Sequence, residues 1–298
     1  MADAFSSPVL TLDQDGHVAT LWLDRPEARN AMGPDLWRDL PLAMGRLSAD
    51  DSVRAVVLAA RGPHFSVGLD LHALAPILSG PAAGTGGGEP GGSEAGQAGG
   101  PTGGRSPSPA ARARSTRATI LRLQSAITAV ADCTKPVVAA VHGCCIGGGV
   151  DLAAACDIRL ASADATFSVR EARMAIVADL GSLQRLPGII GAGHVAELAF
   201  TGKDVDAARA REIGLVNAVH PDAGAVVEAG RALAAEIAAN SPLAVQGTKA
   251  VLSAGDGLTV AQGLDYVAAW NAAMLVSDDL GEALASFMER RPPRFTGR

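Results

Sequence analysis

The sequence predicts an α/β fold, and three observations carry that reading. Short β-branched or alternating runs fall at residues 17–23, 54–60, 137–141 and 158–161, helical patterns lie between them, and the chain turns mainly helical after residue 201. The run over 17–23 alternates apolar and polar residues until Asp24-Arg25-Pro26 stops it, as a strand entering a turn does. Behind Asp35, the spacing of Leu36, Leu40, Ala43, Met44 and Leu47 predicts a helix, which Pro41 is expected to interrupt. Residues 54–60, 137–141 and 158–161 read as buried strands. Residues 78–114 collapse into Gly, Pro, Ser and Ala and cannot repay their ordering entropy by burial, so this stretch is expected to be a disordered insert. Its Arg105, Arg112 and Arg114, with Arg117 beyond, read as solvated charge. Helices are expected over 223–240, from a Ser241-Pro242 start, and over 264–276 and 278–290, with one strand at 215–219. The organisation is therefore an α/β core over 1–200 and a mainly helical region over 201–298, of the kind that packs subunits together. Arg291-Pro292-Pro293-Arg294 reads as an exposed tail.

The chain of 298 residues is 48% hydrophobic, enough for a substantial core. Its formal charge of -6 and the absence of a long Lys/Arg run exclude an electrostatic footprint for nucleic acid or an anionic membrane. Four cysteines, two of them the adjacent Cys144 and Cys145, are too few for a disulfide framework. With no targeting pattern in Met1-Ala2-Asp3-Ala4-Phe5, a cytoplasmic location is expected.

Three segments carry residues suited to chemistry. Gly62-Pro63-His64-Phe65-Ser66-Val67-Gly68-Leu69-Asp70 follows a strand, where a Gly can leave the next N–H pointing outward. Alone, it reads as an ordinary tight turn, and His64 and His72 as turn residues. Gly147-Gly148-Gly149 follows the strand at 137–141 and opens a helix with unpaired N–H groups that could hold an oxyanion or phosphate. No Gly-Lys-Ser/Thr or Gly-x-Gly-x-x-Gly pattern accompanies it. Close helix packing explains one or two of these glycines, less easily three. Glu171 and Asp179 are carboxylates in an apolar neighbourhood, which raises a carboxyl pKa toward general-base range. The competing reading pairs Glu171 with Arg170 or Arg173 on the surface.

In order and spacing these segments resemble the crotonase (enoyl-CoA hydratase/isomerase) superfamily. Asp24-Arg25-Pro26-Glu27-Ala28-Arg29-Asn30-Ala31-Met32, Cys156-Asp157-Ile158-Arg159 and Gln184-Arg185-Leu186-Pro187 extend the likeness over most of the chain outside the Gly-rich insert. The resemblance implies a spiral of β-β-α units with a helical C-terminal region, assembled as homotrimers or homohexamers. It implies an acyl-CoA thioester as substrate, with no metal and no cofactor beyond the coenzyme A of the substrate. The substrate-binding residues it implies are Val67, Gly68, Leu69, Asp70, Leu71, Gly148 and Ala28. Of these, the Leu69 and Gly148 amides would hold the thioester oxygen, and Ala28 would lie where the chain curls around the CoA adenine.

The resemblance makes Asp151, Glu171 and Asp179 the catalytic acids. Hydratases have Glu where this chain has Asp151, and a small residue where it has Asp179. The combination resembles the Δ3,5-Δ2,4-dienoyl-CoA isomerases of fatty-acid β-oxidation, in which Glu171 would be the base at the α-carbon and Asp179 the distal acid. Asp151 would tune or orient the pair. An enoyl-CoA hydratase or Δ3-Δ2-enoyl-CoA isomerase is the nearest alternative, and an inactive scaffold on the same fold is the non-enzymatic one. A serine hydrolase lacks its Gly-x-Ser-x-Gly elbow.

Overall fold

The computed structural model describes residues 5–72, 108–255 and 257–298. A six-stranded sheet runs in the order β1 (Leu10–Asp15), β2 (Val18–Leu23), β3 (Ala55–Ala60), β4 (Val137–Val141), β6 (Ile158–Ser162) and β9 (Ala218–His220). Only the β1–β2 pair is antiparallel. A smaller sheet joins β5 (Cys144–Ile146), β7 (Thr166–Ser168) and β8 (Val205–Asp206). The chain therefore spirals: β4 is followed by β5, and β6 by β7, each turn laying one strand in each sheet.

The central strands β2, β3, β4 and β6 are buried on both faces, which is why β3, β4 and β6 read as apolar runs. Val56, Leu58, Ala139 and Val141 face one core, together with α1 (Pro34–Ala49) and α2 (Pro109–Ala131). Ala55, Val57, Val138 and Ala140 face a second core, closed by α7 (Ala223–Ala238). Gly230 of α7 faces Val57, Ala140 and Val138 of the sheet. The remaining helices are α3 (Gly148–Ala154), α4 (Ser182–Ile190), α5 (Ala192–Thr201), α6 (Ala207–Glu212), α8 (Pro242–Ala254), α9 (Val260–Met274) and α10 (Asp278–Glu289).

The α/β expectation holds, and several details differ. Pro41 does not interrupt α1, because burial of Leu36, Leu40, Ala43, Met44 and Leu47 on one side outweighs the lost hydrogen bond. The insert expected over 78–114 ends earlier. Ser108 caps α2 through its hydroxyl, and the Ala- and Arg-rich residues after Pro109 are good helix formers. Residues 78–107 lie outside the described residues. The 201–298 region is mainly helical but not separate from the core, since β9 pairs with β6 and α7 covers the sheet. Its strand lies at 218–220 rather than 215–219, because the Asn217 amide and side chain bind Arg159 and Leu215 and Val216 turn into the core. Nor does the tail hang free. Arg291 pairs with Glu282, the Thr296 and Gly297 amides donate to Asp279, and Arg54 donates to the Phe295 carbonyl.

A part-buried ion pair ties the last third of the chain to the sheet. Lys249 Nζ of α8, almost buried, lies 2.7 Å from Asp157 Oδ2 and donates to the Lys135 carbonyl, while Asp157 also accepts the Val137 amide. Lys249→Met keeps the aliphatic stem and leaves Asp157 without its cation. The urea midpoint should fall, with a loss of about 1–3 kcal/mol.

Candidate active site

Two backbone segments from different turns of the spiral meet at the site. After β3, Phe65 is completely buried and anchors the first segment. The Phe65 and Ser66 amides donate to the carbonyls of His142 and Cys144, and Ile146 donates back to Ser66. His64 helps through Nδ1, which accepts the Cys144 amide. Gly68 then takes φ +84, and a Cβ there would fall 2.7 Å from the Ile146 carbonyl oxygen and 3.2 Å from the Gly148 nitrogen. That separation admits no side chain. Met32 brackets the next residue by donating to the Gly68 carbonyl and accepting the Asp70 amide. The Leu69 N–H is left with no acceptor among the described residues.

The glycine run forms the second segment, and packing explains each of its members. Gly147 adopts φ 52 and ψ -116, a glycine conformation, and donates to the Ser168 carbonyl. A Cβ on Gly148 would press the Met32 sulfur at 3.0 Å, and one on Gly149 the Ser66 carbonyl oxygen at 2.9 Å. As the first residue of α3, Gly148 has no intrahelical partner for its N–H, and no other acceptor among the described residues takes it.

Glu171 stands over this run. Its Oε1 would lie 3.1 Å from a Cβ at Gly147, and its Oε2 is buried with no partner among the described residues. The surface-pair alternative is not what the structure shows: Arg170 pairs with Asp204, and Arg173 donates to the Thr201 carbonyl. Burial lifts the Glu171 carboxyl to about 7, and the charges of Asp151 and Asp179 push the same way. Asp151, on α3 and 1% exposed, is also raised by burial, although Ser182 holds it back with two hydrogen bonds of 2.6 Å to Oδ1. Asp179 is half-buried and raised by burial. It lines a cleft of about 970 Å³ with Gln124, Thr128, Gln184 and Arg185, and Glu171 is not among that cleft's described lining residues.

The other residues expected at the site divide. Val67 is half-buried and its amide donates to the Arg29 carbonyl, joining the first segment to the turn that carries Ala28. The Asp70 carboxylate is bound by Arg25 at 2.7 Å, and Leu71 is exposed. Four residues that sequence reasoning passed over belong here. Ser66 packs on Gly149 and Met32 on Gly148, Ser182 binds Asp151, and Gln124 donates to the Asp179 carbonyl. Met32 and Ser66 lie inside the segments that carry the resemblance but had no role assigned, Ser182 follows Gly181 at the start of a helix, and nothing in the sequence marks Gln124.

The sequence pattern of the family described as enoyl-CoA hydratase/isomerase matches residues 13–83 and 103–298. The chain is 41% identical to the peroxisomal Delta(3,5)-Delta(2,4)-dienoyl-CoA isomerase of Arabidopsis thaliana over 96% of its length and 95% of that protein's. It is 39% identical to the mitochondrial Delta(3,5)-Delta(2,4)-dienoyl-CoA isomerase of Homo sapiens, over 92% of this chain and 77% of the relative. A putative enoyl-CoA hydratase from Streptomyces coelicolor A3(2) superposes with a TM-score of 0.82 at 30% identity, covering 100% of this chain and 98% of the other. These relatives overturn the cytoplasmic expectation, since those at about 40% identity are named as peroxisomal or mitochondrial proteins. Free cysteines and an unremarkable N-terminus do not distinguish among reducing compartments.

Two outcomes test this geometry. Gly68→Ala drives a methyl into the Ile146 carbonyl and parts the Leu69 and Gly148 amides. Turnover should fall by about 10²–10³-fold, as when one donor to an oxyanion is lost, with the folded circular-dichroism spectrum retained. Glu171 binds its proton more tightly folded, near 7, than at its ordinary 4.5. The group therefore costs stability as pH rises through that interval, and none below it. Glu171→Gln should be more stable than the parent at pH 8, with the gain vanishing below pH 4.5 in chemical-denaturation curves.

Proposed function

The chain belongs to the enoyl-CoA hydratase/isomerase family, and within it we propose that it converts 3,5-dienoyl-CoA to 2,4-dienoyl-CoA in fatty-acid β-oxidation. The Leu69 and Gly148 amides hold the thioester oxygen. Ionised Glu171 removes a proton from the α-carbon, and the electron pair spreads over the α, γ and ε carbons as a dienolate. Protonated Asp179 delivers its proton at the ε-carbon, giving the 2,4-diene. Proton exchange between Glu171 and Asp179 then restores the starting state, so no atom is gained or lost. The two amides stabilise the enolate oxygen, and the cycle calls for no cofactor beyond the coenzyme A of the substrate.

The observation that carries this reading is Glu171 itself. Its Oε2 is buried with no partner among the described residues, and the carboxyl is shifted to about 7 and set against Gly147, one residue from the free Gly148 amide. A base poised near neutrality suits removal of a weakly acidic C–H. The similarity to the two dienoyl-CoA isomerases supports the choice of substrate. The hydratase alternative needs two carboxylates to share a water, whereas one oxygen of Asp151 is already occupied twice by Ser182.

Assembly as a homotrimer or homohexamer is part of the same proposal. Val260 and Leu264 on α9, and Leu284, Phe287 and Met288 on α10, are each more than 60% exposed, an apolar surface that a lone chain would leave in water. Light scattering should give three or six times the chain mass. A 3,5-dienoyl-CoA should gain the absorbance of the conjugated thioester, with kcat reduced about 10²–10⁴-fold in Glu171→Gln and in Asp179→Asn. Rapid hydration of crotonyl-CoA without diene isomerisation would defeat the assignment.

A further inference from the structure

Asp151 is the least accessible of the three acids, and its surroundings set it apart. Oδ1 accepts both the amide and the hydroxyl of Ser182 at 2.6 Å, while Oδ2 is buried with no partner among the described residues. The amide can reach it because Gly181, at φ +129, turns the chain immediately before α4. The Ser182 N–H is one of the first-turn donors that the helix cannot satisfy internally, and Asp151 caps it from another element. Burial raises the Asp151 pKa, and the two donors on one carboxylate oxygen work against it in favour of the charged form. Asp151 in turn lies one helical step from Gly147, whose Cα carries no side chain between the run and Glu171.

We propose that Ser182 is a positioning residue that holds Asp151 as a standing anion, so that Asp151 exchanges no proton during turnover and instead sets the basicity of Glu171. This rests on the isomerase reading for its catalytic meaning, not for its electrostatics. The charged groups facing Asp151 are Arg185 of α4, which favours its ionisation, and Asp179 and Glu171, which oppose it. Those facing Glu171 are Asp151 and Asp179, and both make its proton harder to lose. Among the described residues no cation is paired with Glu171. Its basicity therefore follows from burial and from whether its neighbours are charged. Without the Ser182 hydroxyl, Asp151 protonates more readily, its charge at the site falls, and Glu171 becomes the weaker base.

The test follows the Glu171 carboxyl directly, by carbon-13 NMR of protein labelled at the glutamate δ-carbon, with Glu171→Gln identifying the signal. Ser182→Ala should lower its midpoint from about 7 by roughly half a unit to one unit, and shift the acid limb of kcat/KM for the 3,5-dienoyl-CoA equally. Ser182→Thr, which retains the hydroxyl, should return both to the parent values. Asp151→Asn, which keeps an acceptor for Ser182 but no charge, should lower the midpoint at least as far, and serves if the alanine variant does not fold. A midpoint that stays put or rises in folded Ser182→Ala, or in Asp151→Asn, overturns the proposal, whatever happens to kcat. A parent that fails to isomerise the diene, yet shows these shifts, removes the assigned reaction and leaves the role of Ser182 standing.

Discussion

The site depends on one close approach. Where Gly68 meets the Ile146 carbonyl and the Gly148 nitrogen, two backbones lie nearer than any side chain permits. Much of the surrounding structure maintains it. Phe65 and Ser66 pair with the strand leading into the glycine run, Met32 grips both sides of Leu69, and Asn30 donates to the Arg61 and His64 carbonyls. The Arg25–Asp70 ion pair holds the segment from the far side of Leu69. Main-chain donors held in this way cost little reorganisation when charge arrives, which is why preorganised amides serve acyl-transfer and enolate chemistry.

The acids complete the arrangement by contrast. Three carboxyls share a poorly solvated region, and each is raised by burial, yet their environments differ. Asp151 is supplied with two donors, Glu171 has none from its neighbours, and Asp179 opens on a polar cleft. A fold that gives identical functional groups unequal hydrogen bonding can assign them unequal tasks.

Much of this was legible in the sequence, for identifiable reasons. Strands buried on both faces announce themselves as apolar runs, so β3, β4 and β6 were readable, while β2, read from its alternation, is buried throughout because its Thr20 also lies inside. The order of the glycine and acidic segments carried the family. β1, whose Leu-Thr-Leu-Asp-Gln-Asp has only one fully buried face residue, offered little periodicity. The first turns of α2 were hidden by the Ser/Pro/Arg composition they share with the preceding segment. Ser182 could be placed from sequence only at a helix start, because its importance lies in a contact with a residue thirty-one positions earlier. The compartment was misjudged because cysteine usage reports redox state, not address.

The sheet order has a consequence for how the polypeptide is made. β9 closes the sheet beside β6, α7 covers the face shared by β2, β3 and β4, and Lys249 reaches back to Asp157. A nascent chain emerging from the ribosome amino end first can form α1 and its flanking strands, but their second face stays uncovered until residues beyond 223 appear. Translation speed over the final third then governs how long that apolar surface is bare, and so how much the growing chain relies on chaperones.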